Sequence, residues 1–142
     1  MHKFHILNIY APYSWRRKLW DHVSKSGILG LDSLIITGDI NFSLGKEEIG
    51  GKRAVIDPHS SYFSEMWDSH GLQDVILIPI TPTWWNGHIG DEGISKRLDH
   101  FIINHSRNHH QDYIKDHPIF CIRPPSHRVD FWMSHTIETI SL

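Results

Sequence analysis

Apolar residues in this chain gather into short runs, each cut off by glycine, proline or a polar cluster, and the spacing within each run predicts its element. Residues 4–10, Phe-His-Ile-Leu-Asn-Ile-Tyr, carry a buried-strand pattern that Ala11-Pro12 stops, because proline cannot donate to a sheet ladder. From Ser14, placed as an N-cap, the positions Trp15, Leu19, Trp20 and Val23 recur at helical spacing until Gly27 ends the helix. Leu34 to Thr37 is a second buried strand, which runs into Gly38-Asp39-Ile40-Asn41. The glycine-rich, charged stretch 45–52 predicts a surface loop. Tyr62, Phe63, Met66 and Trp67 make one apolar face of a helix spanning about 58–70, with Gly71 at its C-terminal stop.

The second half is more broken. Residues 75–80 are apolar and extended, punctuated by Pro79 and Pro82, and Thr83 to Trp85 predict a short strand. Residues 86–95 form a hairpin-type loop before a strand over 97–103, and 119–122 predict a last short strand. Strands alternating with helices place the chain in the α/β class. Residues 1–122 are expected to form the domain, and 123–142, which lack a core pattern, a C-terminal tail or weakly docked segment.

Bulk properties narrow the picture further. At 142 residues one core is expected, burying about two-thirds of the unfolded surface. A formal charge of -2 and a pI near 6.7 exclude a global basic field, so any nucleic-acid contact must be local. One cysteine, Cys121, excludes an internal disulfide. With no N-terminal apolar stretch, the expected setting is intracellular, nuclear or cytoplasmic, without a membrane partner. Among 13 histidines, His105, His109, His110 and His117 have the spacing of a zinc site, although such sites normally close with cysteines. Trp20, Trp67 and Trp132 are expected to fill the core.

Candidate chemistry sits at the ends of the apolar runs. Asp39 and Asn41 lie two apart, so in extended geometry both point into one cleft, the carboxylate taking a proton from water and the amide positioning it; the alternative is an Asx turn. His117 beside Asp116 pairs a proton donor with a hard oxygen ligand, and Asp99 can fix its tautomer; the alternative is an exposed turn. Tyr10 can donate its hydroxyl to a phosphate and Asn8 can brace the neighbouring loop, or both can pack. Trp84 and Trp85 can stack on a base or sugar, or one of them can fill the core.

Taken in order, Asn-Ile-Tyr-Ala-Pro (8–12), Gly-Asp-Ile-Asn (38–41), Thr-Trp-Trp (83–85), Arg-Leu-Asp-His (97–100) and Asp-His-Pro (116–118) resemble the endonuclease/exonuclease/phosphatase superfamily, which includes apurinic endonucleases and pancreatic deoxyribonuclease. The resemblance covers about residues 6–122. The segment from Gly50-Gly51-Lys52-Arg53 through Ile94 to Asp99 is similar to the endonuclease region of plant non-LTR retrotransposon polyproteins. This implies part of a four-layer α/β sandwich that hydrolyses DNA phosphodiesters with magnesium, or manganese in its place. It also implies a role for each residue. Tyr10 would contact the scissile phosphate, Asp39 would activate water, Asn41 would position it, and Trp84 would line the cleft. Asp99 would hold His117, which would stabilise the pentacovalent phosphate, while Asp116 would bind the metal.

The departures carry expectations too. Family members place an asparagine and a metal-binding glutamate in a first half that precedes the opening strand, so the resemblance implies that this half is missing and that magnesium binding is weakened. Glu47 and Glu48, in a loop, are poor substitutes, and Lys115 stands where serine is usual. One sheet face is then expected to be open for self-association, and a reverse-transcriptase region is an expected neighbour in a longer parent protein. The competing expectations are a non-catalytic remnant of a mobile element and a histidine-rich metal- or nucleic-acid-binding module.

Overall fold

The structure, a computed structural model, describes residues 3–104 and the backbone of 135–141. Its larger sheet contains β1 (Lys3–Ile9), β2 (Leu34–Asp39), β4 (Leu72–Asp74), β7 (Asp99–Asn104) and β8 (His135–Ser141), in the order β4-β7-β2-β1-β8. β1 and β2 run parallel, with Leu7 level with Ile36, and the other neighbours are antiparallel. A smaller antiparallel sheet, ordered β3-β6-β5, is made of β3 (Ile49–Gly50), β5 (Trp84–Trp85) and β6 (Ser95–Lys96). Together with two helices this is an α/β fold.

The parallel pair needs a crossover, and α1 (Arg16–Lys25) supplies it. Its buried positions, Arg16, Leu19, Trp20 and Val23, are three or four apart, which puts them on one stripe facing the sheet. The helix begins two residues after Ser14: Trp15 occupies the cap position without a side-chain cap bond, since an indole has no acceptor to offer, and its N–H closes a turn onto the Pro12 carbonyl at 3.2 Å. Trp15 itself is exposed, with Lys18 Nζ 4.3 Å from its ring centroid. Gly27, at φ 81°, ends the helical run as expected.

The second helix, α2 (Ser60–Ser69), buries Phe63, Met66 and Trp67 against the same face. Trp20 is the hub of the core. It meets Phe42 and Phe63 edge-on at 6.2 and 6.1 Å, while the Phe42 and Phe63 rings stack. Leu7, Ile9, Leu34, Ile36 and Ile102 close this core from the sheet side, all 2% exposed or less.

Within residues 123–142, β8 pairs with β1 at all seven positions from Lys3↔Ser141 to Ile9↔His135; edge pairing satisfies backbone groups and needs no apolar pattern of its own. Two expectations are corrected. Residues 76–80 do not extend the sheet: β4 ends at Asp74, only the Val75 N–H still donates to the Phe101 carbonyl at 2.7 Å, and Ile78 is 92% exposed. The loop 45–52 holds a 3-10 turn over Lys46–Glu48 as well as β3, and Glu48 is buried. The strand expected at 119–122, together with Trp132, lies outside the described residues.

Gly38 has the tightest steric requirement. Its φ is 119°, and a Cβ there would lie 2.2 Å from the Ile9 carbonyl oxygen and 2.8 Å from Asn8 Oδ1. Gly38→Ala is expected to destabilise the protein by roughly 3 kcal/mol in urea unfolding, from strain and overpacking together. Gly30→Ala, with nothing within 4 Å of its added carbon, is expected to stay within about 0.5 kcal/mol.

Candidate functional site

Because Gly38 lets the end of β1 lie against β2, the two strand ends lock together. The Ala11 N–H donates to the Asp39 carbonyl at 2.7 Å, and Asn41 Nδ2 donates to the Ala11 carbonyl at 2.9 Å. Asn41 adopts φ 59°, and its N–H donates to Asp39 Oδ1 at 2.9 Å, so the Asx turn and the cleft position coexist. Fully buried Ile40 and Phe42 flank Asn41 and anchor the turn from inside. Two polar side chains therefore face the cleft from a backbone that the core holds still.

Further lining residues come from the small sheet, Trp84 and Lys96, and from Leu98 on the approach to β7. Asp99 lies level with Asp39 in the antiparallel β2–β7 pair, so both carboxylates occupy the same sheet face. The Ile40 N–H donates to the Leu98 carbonyl at 3.0 Å, and Thr83 Oγ1 accepts from the N–H groups of Leu98 and Asp99, each at 3.0 Å. Trp84 is level with Lys96 across the β5–β6 ladder. A cleft of about 330 Å³ results, with Tyr10, Asp39, Asn41 and Trp84 in its wall.

Four of the residues singled out in the sequence thus meet around one hollow. Asn8 instead abuts Gly38 at the exposed end of β1, and Asp99, although level with Asp39, does not line the cleft. Asp116 and His117, like His105, His109 and His110, lie outside the described residues. Neither Trp84 nor Trp85 fills the core, since they are 43% and 56% exposed.

Tyr13, Asp57, Lys96 and Leu98 also line the cleft and were missed in the sequence. Asp57 is held from behind by Arg16, whose Nη2 reaches both carboxylate oxygens at 2.9 Å, and the guanidinium also lies 4.4 Å from the Tyr13 ring centroid. That Asp57 carboxylate is already neutralised. The Asp39 carboxylate, the Asn41 amide and the tyrosine hydroxyls are hard oxygen donors, the kind that suits magnesium and not a thiolate-seeking metal.

Beneath the cleft lies a second polar group. Arg97, buried, donates from Nη1 to Glu48 Oε1 and Asp74 Oδ2, both at 2.6 Å, and from Nη2 to Asp74 Oδ1 at 2.9 Å. His100 Nδ1 lies 2.9 Å from Asp74 Oδ2, and its Nε2 lies 3.2 Å from the Phe42 carbonyl. Ligand atoms of Glu48, Asp74 and His100 all fall within 4.8 Å of one another, which is metal-ligand spacing. The Arg97 guanidinium already supplies the positive charge there, so this cluster is an ion-pair network. Burial alone would push the Asp74 carboxyl up, but the hydrogen bonds from His100 and Arg97 outweigh it and hold the group below its ordinary value. Burial likewise opposes the charged guanidinium, and the two carboxylates reverse this and raise Arg97 further.

No protein-family model and no curated protein matches the chain. Among solved structures it is similar to the endonuclease domain of TRAS1, a telomere-specific non-LTR retrotransposon, at 20% identity and a TM-score of 0.42. The match covers 64% of this chain and 37% of that one. Among the described residues, no helix is long and apolar enough to cross a membrane.

Asp74 gives this site an acid dependence. A carboxyl held low in the folded state stabilises the fold above its unfolded value of 3.8, and that contribution disappears as pH falls toward and through the lower folded value. Urea unfolding between about pH 6 and pH 2 is expected to show stability falling through this window. Asp74→Asn is expected to lower stability at pH 6 and to remove up to about 1.4 kcal/mol per pH unit of the acid slope.

Proposed function

We propose that this chain hydrolyses DNA phosphodiester bonds with magnesium, as a nuclease of the endonuclease/exonuclease/phosphatase type. The observation that carries the proposal is the meeting of Tyr10, Asp39, Asn41 and Trp84 around one cleft. These residues are separated along the sequence and belong to motifs with matching roles in that superfamily.

In this reading Asp39 accepts the proton of the attacking water. Asn41 holds that water in line; its amide is already oriented by donation to Ala11, so little ordering remains to be done at the moment of attack. The Tyr10 hydroxyl donates to a non-bridging phosphate oxygen, and the indole of Trp84 lies against the neighbouring sugar or base. By resemblance, Asp99 orients His117, and the imidazolium donates to the phosphoryl oxygen on which charge builds. By resemblance, Asp116 would hold a magnesium ion, which when bound would supply charge stabilisation to the phosphate.

The test is nicking of supercoiled plasmid in magnesium and in EDTA. Nicking is expected only in magnesium, with Asp39→Ala and His117→Ala each slowing it by about 10²–10⁴-fold. An absence of nicking, or nicking that both substitutions leave untouched, rejects the proposal.

A further inference from the structure

We infer that Lys96 anchors a substrate phosphate in this cleft and that, with Trp84 directly across the β5–β6 ladder, it grips a single nucleotide of the DNA strand. The inference rests on the nuclease reading for the identity of the ligand, and adds a binding residue that the superfamily motifs do not assign.

Register is the first support. Residues level with each other in an antiparallel pair project from the same face with their Cβ atoms about 5 Å apart. Trp84 and Lys96 are such a pair, and both line the cleft. A flat apolar surface and a flexible cation therefore rise side by side, which is the pairing that a base or sugar and its own phosphate require. The ladder is also fixed in place: the Thr83 N–H donates to the Lys96 carbonyl at 2.9 Å, and the next residue, Arg97, is the buried clamp.

Charge balance is the second support. The cleft must accept a polyanion, yet its wall contains Asp39 and Asp57. Arg16 cancels Asp57. Arg97, the residue after Lys96, is engaged with Glu48 and Asp74, and the exposed Lys52 and Arg53 pair with Asp91 and Glu92. Lys96 forms no ion pair among the described residues, and it is the one cation among the residues that line the cleft. An ammonium on a four-carbon stem acts as a movable point charge, suited to a phosphate and indifferent to base identity.

The experiment measures binding apart from chemistry. Fluorescence anisotropy with a fluorescein-labelled mixed-sequence DNA oligonucleotide, in EDTA and across a salt series, compares the full chain with Lys96→Gln, Lys96→Arg and Asp39→Ala, each checked for folding by circular dichroism. Lys96→Gln is expected to weaken binding by about 5–10-fold near 0.1 M salt and to flatten the slope of log K against log salt by roughly 0.7–0.9, the release of one counterion. Lys96→Arg should restore the slope, and Asp39→Ala should bind at least as tightly as the parent. In the nicking assay Lys96→Gln should raise KM more than it lowers kcat. An unchanged slope and Kd for Lys96→Gln overturns the inference while leaving the nuclease proposal to the Asp39 result. Salt-dependent binding that is lost in Lys96→Gln, without nicking by the parent, supports the anchor and rejects the catalysis. A parent chain that shows no salt-dependent binding overturns the anchor.

Discussion

A guanidinium buried between two carboxylates holds this molecule's two sheets in register. Arg97 reaches Glu48 on the approach to β3 and Asp74 at the end of β4, while its own N–H donates to the Glu48 carbonyl at 2.9 Å. Three segments distant in sequence thus converge on one cation, and removing any partner would leave charge stranded away from water, which costs several kcal/mol. His100 extends the network to the Phe42 carbonyl. That carbonyl belongs to the residue after Asn41, so the ion-pair group beneath the cleft and the polar turn above it share one stretch of backbone.

The cleft inherits its order from this base. Asp39 and Asn41 stand on a turn whose alternate residues, Ile40 and Phe42, are fully buried. Tyr10 and Trp84, about half exposed, form a more open rim. Acidic and amide groups on this turn, with aromatic faces and one lysine, together line the cleft. Asp57 lines the same hollow, but Arg16 holds both of its oxygens, so it adds structure without adding net negative charge.

Much of this arrangement was legible in the sequence, and the reason differs from one element to the next. The strand over 4–10, the strand entering Gly38-Asp39 and the helix with Phe63, Met66 and Trp67 follow from apolar spacing over fewer than a dozen residues. The gathering of Tyr10, Asp39, Asn41 and Trp84 followed from the rule that side chains at strand ends share a cleft. The start of α1 lies at Arg16, after a turn in which the Trp15 N–H donates to the Pro12 carbonyl and which spacing does not reveal. Residues 75–80 look apolar enough for a strand, yet after the Val75 N–H donates to the Phe101 carbonyl at 2.7 Å the chain leaves the sheet, and Ile76, Leu77 and Ile78 are exposed. Pairing, not composition, decides there.

By itself the sequence determined the α/β alternation, the glycine stops and the chemical character of each strand end, because these depend on neighbours a few residues away. Tertiary structure alone decided which charges meet. Arg16 finds Asp57 at a separation of 41 residues, and Arg97 finds Glu48 at 49. It also decided that Lys96 stands level with Trp84, and that 135–141 closes the edge beside β1. Such contacts depend on strand register and on burial, which arise only when the whole chain has closed around Trp20 and no single segment carries them.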